Sequence, residues 1–200
     1  MKSFLALFAP LRLGVFLLSV MPMGLQAGSS LSAATAGYIY GFPLVLMDET
    51  LNGMTGEERS CQLGADLNTF VHVKDRPGPE FKAVVRPNVD TLYSSAMLDL
   101  SQEPMLLFMP AVKDRYVLMA LLDAWSNNFA GVGSQSYGEG GGHYAIVGPG
   151  WDGVLPDGYE RIDAPTNLVW IIGRTEVRDD SDIAEVNRIQ EQYSLTPLSG

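Results

Sequence analysis

The chain has 200 residues, with 13 Lys and Arg against 23 Asp and Glu, a net charge of −10 and a single cysteine. That balance argues against nucleic acid, whose phosphates need neutralising by Lys and Arg, and against anionic lipid headgroups. One cysteine, Cys61, excludes an internal disulfide, so the fold rests on its apolar core. A lone thiol with no CxxC partner reads as inert.

Lys2 gives the N-terminus a positive start, Leu13 to Met23 is an apolar run of 11 residues, and Leu25-Gln26-Ala27 ends on a small residue. This is the layout of a secretory signal peptide over residues 1–27. The protein is therefore expected to be exported, periplasmic or secreted. The run is shorter than the roughly 20 residues of a spanning helix; an uncleaved anchor is the alternative and the only membrane contact expected. Residues 28–200 read as one domain, since about 170 residues bury a sizeable core. Residues 1–27 carry Lys2 and Arg12 and no acid, so the remainder is two charges more negative than the whole chain.

Ser32 to Asn52 is rich in Ala, Leu and Met and reads as helix, with Tyr38, Leu44, Val45 and Met47 able to pack on one side. Gly41-Phe42-Pro43 should split or kink it, because Pro removes a donor and crowds the residue before it. Gly53 to Gly64 reads as a loop. Strands are expected at Thr69–Val73, Phe81–Val85, Leu92–Leu100, Met105–Met109, Arg115–Leu122, His143–Val147 and Leu168–Ile172, with a weaker one at Tyr159–Ile162. Leu92 to Leu100 alternates between two faces, and Arg115 to Leu122, apolar on both, suits a central strand. Ile183, Val186, Ile189 and Tyr193 share a helical face after the N-cap candidates Asp180, Ser181 and Asp182, and Pro197 should stop that helix. The spacing predicts a mainly β domain, a β-sandwich or jelly-roll-like fold with flanking N- and C-terminal helices.

Six segments in order carry a family resemblance: Asn68–Val73, Arg86–Ser95, Asp114–Tyr116, Leu121–Asn127, Tyr144–Trp151 and Val169–Thr175. From about Ala36 to Leu198 the chain resembles the bacterial domain-of-unknown-function family 1254. The resemblance implies a mainly β domain and, in many members, export. It also implies a following domain of unknown function, number 1214; this sequence stops where that connection would begin, as a single-domain or shortened form does.

Two polar segments are candidates for chemistry. In Arg86-Pro87-Asn88-Val89-Asp90, Arg86 can fork onto an anion while Asn88 and Asp90 fix orientation. The same residues suit a β-turn, with Pro87-Asn88 at its centre and Asp90 paired to Arg86. Tyr93 either points its hydroxyl to that place or is a half-buried aromatic. In the second segment, Asp123, Trp125 and Asn127 form a set that grips a sugar or another polar ligand. The alternative is an Asp123 bonded to turn amides, with Trp125 in the core. Asp90 and Asp123 are also the candidate acid/base pair of a glycoside hydrolase.

His72 and His143 lack a second ligand at metal-binding spacing, so no metal and no cofactor are expected. His72 reads as a core or interface residue, and His143 as a lone turn histidine. No Gly-x-Ser-x-Gly elbow is present. Gly138 to Gly142 reads as a flexible hairpin, because no helix follows it. The sequence thus reads as an exported domain binding a small polar or carbohydrate-like ligand through Arg86, Asn88, Asp90, Tyr93, Asp123, Trp125 and Asn127. The alternatives are a hydrolase using paired carboxylates and a structural half of a two-domain protein.

Overall fold

The computed structural model describes residues 23–56, 64–79, 81, 86–134 and 141–200. Cys61, the candidate strand over 82–85, most of the glycine run and the first 22 residues of the expected signal segment lie outside the described residues. The chain divides into two units, Met1–Tyr40 and Gly41–Gly200. In the first, the described residues 23–40 are helical.

The first helix, α1, runs over Met23–Thr55 with Pro43 inside it. The expected split at Gly41-Phe42-Pro43 is therefore corrected: Pro43 forfeits one backbone donor, but the bonds of the flanking turns carry the helix through. The helix also takes in Gly53 to Thr55, expected as loop. Met47, Leu51 and Met54, at helical spacing, pack with Met97, Leu168 and Trp170. Tyr38 and Val45, expected to pack, are instead 68% and 60% exposed.

A five-stranded sheet and a four-stranded sheet follow. The first contains β1 (Val71–His72), β2 (Thr91–Asp99), β4 (Val117–Leu122), β5 (Asn128–Gly133) and β8 (Leu168–Glu176), in the order β1-β2-β8-β4-β5. The second contains β3 (Met105–Met109), β6 (Gly142–Val147), β7 (Glu160–Asp163) and β9 (Ser194–Pro197), in the order β7-β6-β3-β9. The protein is mainly β, with helices at its N- and C-terminal ends.

Alternation builds the core. Ala96 and Leu98 of β2, Val117, Met119 and Leu121 of β4, and Val169 and Ile171 of β8 meet Met105, Leu107, Met109, Tyr144 and Ile146 of the second sheet in one buried cluster. Each fully buried Leu, Ile or Met of this layer contributes about 1.5–3 kcal/mol. Central β8 pairs antiparallel with β2 from Thr91↔Glu176 to Asp99↔Leu168, and with β4 from Val117↔Thr175 to Leu122↔Trp170. At Gly173 an added Cβ would lie 2.8 Å from the Ser94 carbonyl oxygen and 2.5 Å from Met119 Sδ. Only glycine lets the strands close there.

The chain ends differ from the sequence expectation. Asp179 caps the 3-10 turn Asp180–Asp182, its carboxylate accepting the Ser181 N–H, while Asp182, one of the expected candidates, is the N-cap residue of the helix that follows, without a side-chain capping bond. The second helix, α2, covers only Ile183–Gln190. Tyr193 then turns into the core, sharing a 2.8 Å hydrogen bond with Thr175, and Ser194–Pro197 pairs with β3 as an edge strand. Pro197 is tolerated there because an edge does not demand its missing N–H.

Candidate functional site

The residues singled out by sequence fall into two separate groups. The Asp90 carbonyl accepts the Val177 N–H, which places the Arg86–Asp90 turn beyond the Glu176 end of β8. Asp123 follows Leu122, whose partner is Trp170, so it lies near Val169 at the other end. Eight residues of strand separate these levels, about 26 Å at about 3.3 Å per residue. Paired carboxylates in glycoside hydrolysis sit roughly 5–10 Å apart. The structure therefore does not bring Asp90 and Asp123 together, and the expected acid/base pair does not form.

Within each group the polar side chains serve their own turns. Asn88 Oδ1 accepts the Asp90 N–H at 2.8 Å, and its Nδ2 donates to Thr91 Oγ1 at 2.8 Å. No ion pair joins Arg86 and Asp90 among the described residues, and both are exposed. Tyr93 lies under Arg174, whose guanidinium carbon is 5.5 Å from the ring centroid.

Asp123 is 6% exposed. Its Oδ1 accepts the N–H groups of Trp125 and Asn127, each at 2.9 Å, and its Oδ2 accepts Asn127 Nδ2 at 3.1 Å. The carboxylate is the organiser of the β4–β5 turn, in which Ser126 has φ 64°. Thr166 fastens this turn to β8, accepting the Ala124 N–H and donating to the Leu168 carbonyl. Asp123, Trp125 and Asn127 are thus close to one another, with the carboxylate committed to backbone.

Two further polar clusters are also closed. His72 Nδ1 lies 2.8 Å from Ser94 Oγ, with Phe70 and Tyr193 beside its ring. Burial, with help from the Lys74 ammonium and against Glu191, lowers the imidazole from 6.5 to about 4. Ser94 is 0% exposed, so this serine–histidine contact has no open route for a substrate. Arg115 forks onto Asp182 with two 2.7 Å bonds and donates to the Glu176 carbonyl at 2.5 Å. Its hydrogen bond to Asp182 holds that carboxyl at about 2. Among the described residues no group of three His, Cys, Asp or Glu side chains is placed to hold a metal ion.

The open arrangement is on the outward face of the four-stranded sheet. Phe108 of β3 and His143 of β6 are register partners, and Tyr159 immediately precedes β7, which pairs with β6. Their rings form a row across three neighbouring strands, with centroids 4.9 Å apart for Phe108–His143 and 5.2 Å for His143–Tyr159. Period-two alternation puts Arg161 and Asp163 on the same face as Tyr159. Arg161 Nε donates to Asp163 Oδ1 at 2.8 Å, its Nη2 donates to the Trp151 carbonyl at 3.1 Å, and its guanidinium stacks 5.5 Å from the Trp151 ring centroid.

Three contacts fix Arg161, so the polar patch is held before any ligand arrives. The Trp151 ring also needs Gly153, where an added Cβ would lie 2.5 Å from the indole. At about 3.3 Å per residue and about 4.8 Å per strand, the face spans about 13 Å by 10 Å. It offers aromatic surface, a fixed guanidinium, a solvent-facing carboxylate and the exposed Ser194 of β9. Sequence reading missed this set because its members come from separate strands. The signal present was the alternation Tyr159-x-Arg161-x-Asp163, which marks one exposed face.

A family model described as "Protein of unknown function (DUF1254)" matches residues 67–197. The crystal structure of the VPA0106 protein from Vibrio parahaemolyticus is similar, with a TM-score of 0.67 and 24% identity over 81% of this chain and 37% of that one. The likeness concerns the fold, and the chain spans little more than a third of that protein's length. No curated protein matches.

Proposed function

The chain belongs to the DUF1254 family of proteins of unknown function, and from that premise we propose that it is an exported binding module for neutral, carbohydrate-like ligands. The ligand lies on the outward face of β3, β6 and β7. The supporting observation is the continuous Phe108–His143–Tyr159 row beside Arg161, Asp163 and Trp151. Sugar rings pair an apolar C–H face with rim hydroxyls. The first stacks on aromatic rings, and the second accept from Arg161 and donate to Asp163. The guanidinium and carboxylate cancel locally, which suits a neutral polyol. The chain's net charge of −10 disfavours stacked nucleic-acid bases, which bring phosphates with them.

Isothermal titration calorimetry against a panel of neutral oligosaccharides tests the reading. Tyr159→Ala and His143→Ala each cost about 1–2 kcal/mol, an affinity loss of about 5- to 30-fold. Tyr93→Ala, on the other sheet, leaves affinity unchanged. Equal binding by wild type and Tyr159→Ala, or no binding by wild type, overturns the assignment. Export is supported by Lys2 and the Leu13–Met23 run. Mass spectrometry of the secreted protein should find a chain starting after Ala27; a chain retained in cells with Met1 intact contradicts it.

A further inference from the structure

A cavity of about 270 Å³ lies between the β3–β4 connection and α2, and its lining shares no residue with the aromatic face. We infer that it is a second ligand site, for a small carboxylate carrying an amino or hydroxyl group on the neighbouring carbon. Size sets the first limit: drug-sized ligands occupy about 300–1,000 Å³, so this space suits a molecule no larger than a free amino acid or short hydroxy acid.

Charge sets the second limit. Lys113 lines the cavity, is exposed and has no ion-pair partner among the described residues. The ion pairs take up Lys74, Arg76, Arg115, Arg161, Arg178 and Arg188 instead. Arg115 lines the floor, but both Asp182 oxygens consume its charge. One uncommitted ammonium matches a single negative charge, and Glu185, paired with Arg188, lines the same cavity. A phosphate dianion would find only half of its charge matched by that one cation.

The remaining walls complete the recognition. Arg188 binds one Glu185 oxygen, Oε2, which leaves Oε1 to accept from an ammonium or hydroxyl. The Gln192 amide nitrogen donates to the Arg188 carbonyl at 3.1 Å, which leaves its oxygen to serve as an acceptor. Ile189 of α2 and Val112 of the connection supply the apolar side. The ligand carboxylate therefore pairs with Lys113, its donor group with Glu185 and Gln192, and its hydrocarbon arm with Ile189.

Calorimetry on the whole protein, with the free amino acids, short 2-hydroxy acids, propionate and inorganic phosphate as probes, tests this. At least one amino or hydroxy acid should bind saturably, and propionate, lacking the donor, should bind about tenfold more weakly or not at all. Lys113→Gln should weaken binding about tenfold or more, while Lys113→Arg keeps it within about threefold, since a point charge suffices. Gln192→Trp, at an exposed position, should fill the cavity and abolish binding with unchanged circular dichroism. Absence of saturable binding by every probe overturns the inference. So does binding indifferent to Lys113→Gln and Gln192→Trp, or phosphate binding tighter than every carboxylate.

Discussion

Replacing Asp123 by Ala should destabilise the protein without touching ligand binding. The carboxylate accepts three hydrogen bonds, two from backbone N–H groups at 2.9 Å and one from an amide at 3.1 Å. Bonds to a charged group contribute about 1.5 kcal/mol or more each, and orphaned buried donors cost about 1–3 kcal/mol. Asn127 is exposed, so water recovers part of that loss. A net cost of about 3 kcal/mol follows, or about 6–12 °C in Tm for a chain of this size. Asp123→Asn keeps an acceptor for both N–H groups and faces its amide against Asn127 Nδ2, which costs about 1 kcal/mol. Urea unfolding followed by circular dichroism measures both. If Asp123→Ala loses less than about 1 kcal/mol, or matches Asp123→Asn, the carboxylate does not hold the turn and the argument fails.

Three other perturbations have defined outcomes. His72 sits at about 4 when folded against 6.5 ordinarily, so the unfolded chain takes up that proton first. Stability should fall as pH drops from about 6.5 toward 4, and His72→Gln should flatten that part of the stability profile. Asp182 is depressed from 3.8 to about 2, chiefly by its Arg115 hydrogen bond. Its contribution is complete above the ordinary value and lost as pH falls through the folded one. Asp182→Asn should therefore remove the acid limb below about pH 4 while lowering stability at neutral pH. Gly153→Ala should displace the Trp151 indole and weaken oligosaccharide binding about 5-fold or more, with Tm within about 2 °C of wild type. An unchanged affinity would remove Trp151 from the site.

Apolar periodicity made most strands legible. Met105–Met109 falls where the sequence puts it, and β2 and β6 agree within a residue. Thr69–Val73 shrinks to two formal strand residues, yet Asn68 N–H and Val73 N–H still bond the Met97 and Tyr93 carbonyls. What escaped was set by tertiary context. β5 carries Gly131 and Gly133, which weaken any strand signal, and exists because a tight turn returns it onto β4. β9 is hidden behind a helical pattern that Tyr193 extends in the sequence; in the structure that ring makes a core contact beyond the end of the helix.

The same limit governs the site. Arg86, Asn88, Asp90 and Asp123 stand out in the sequence as polar clusters, and turn chemistry is what Asn88 and Asp123 perform. Phe108, His143 and Tyr159 are ordinary in sequence. They become a site only because β3, β6 and β7 lie side by side, a juxtaposition that no local pattern encodes.

Backbone-amide chemical-shift mapping of the isotope-labelled protein, titrated with a neutral oligosaccharide that binds, tests the central claim most directly. The binding-module account predicts shifts concentrated at Phe108, His143, Trp151 and Tyr159–Asp163, with Arg86–Tyr93 and Asp123–Asn127 unmoved. Shifts centred on Asp123–Asn127 or Arg86–Asp90, with the outward face of β3, β6 and β7 silent, would contradict it.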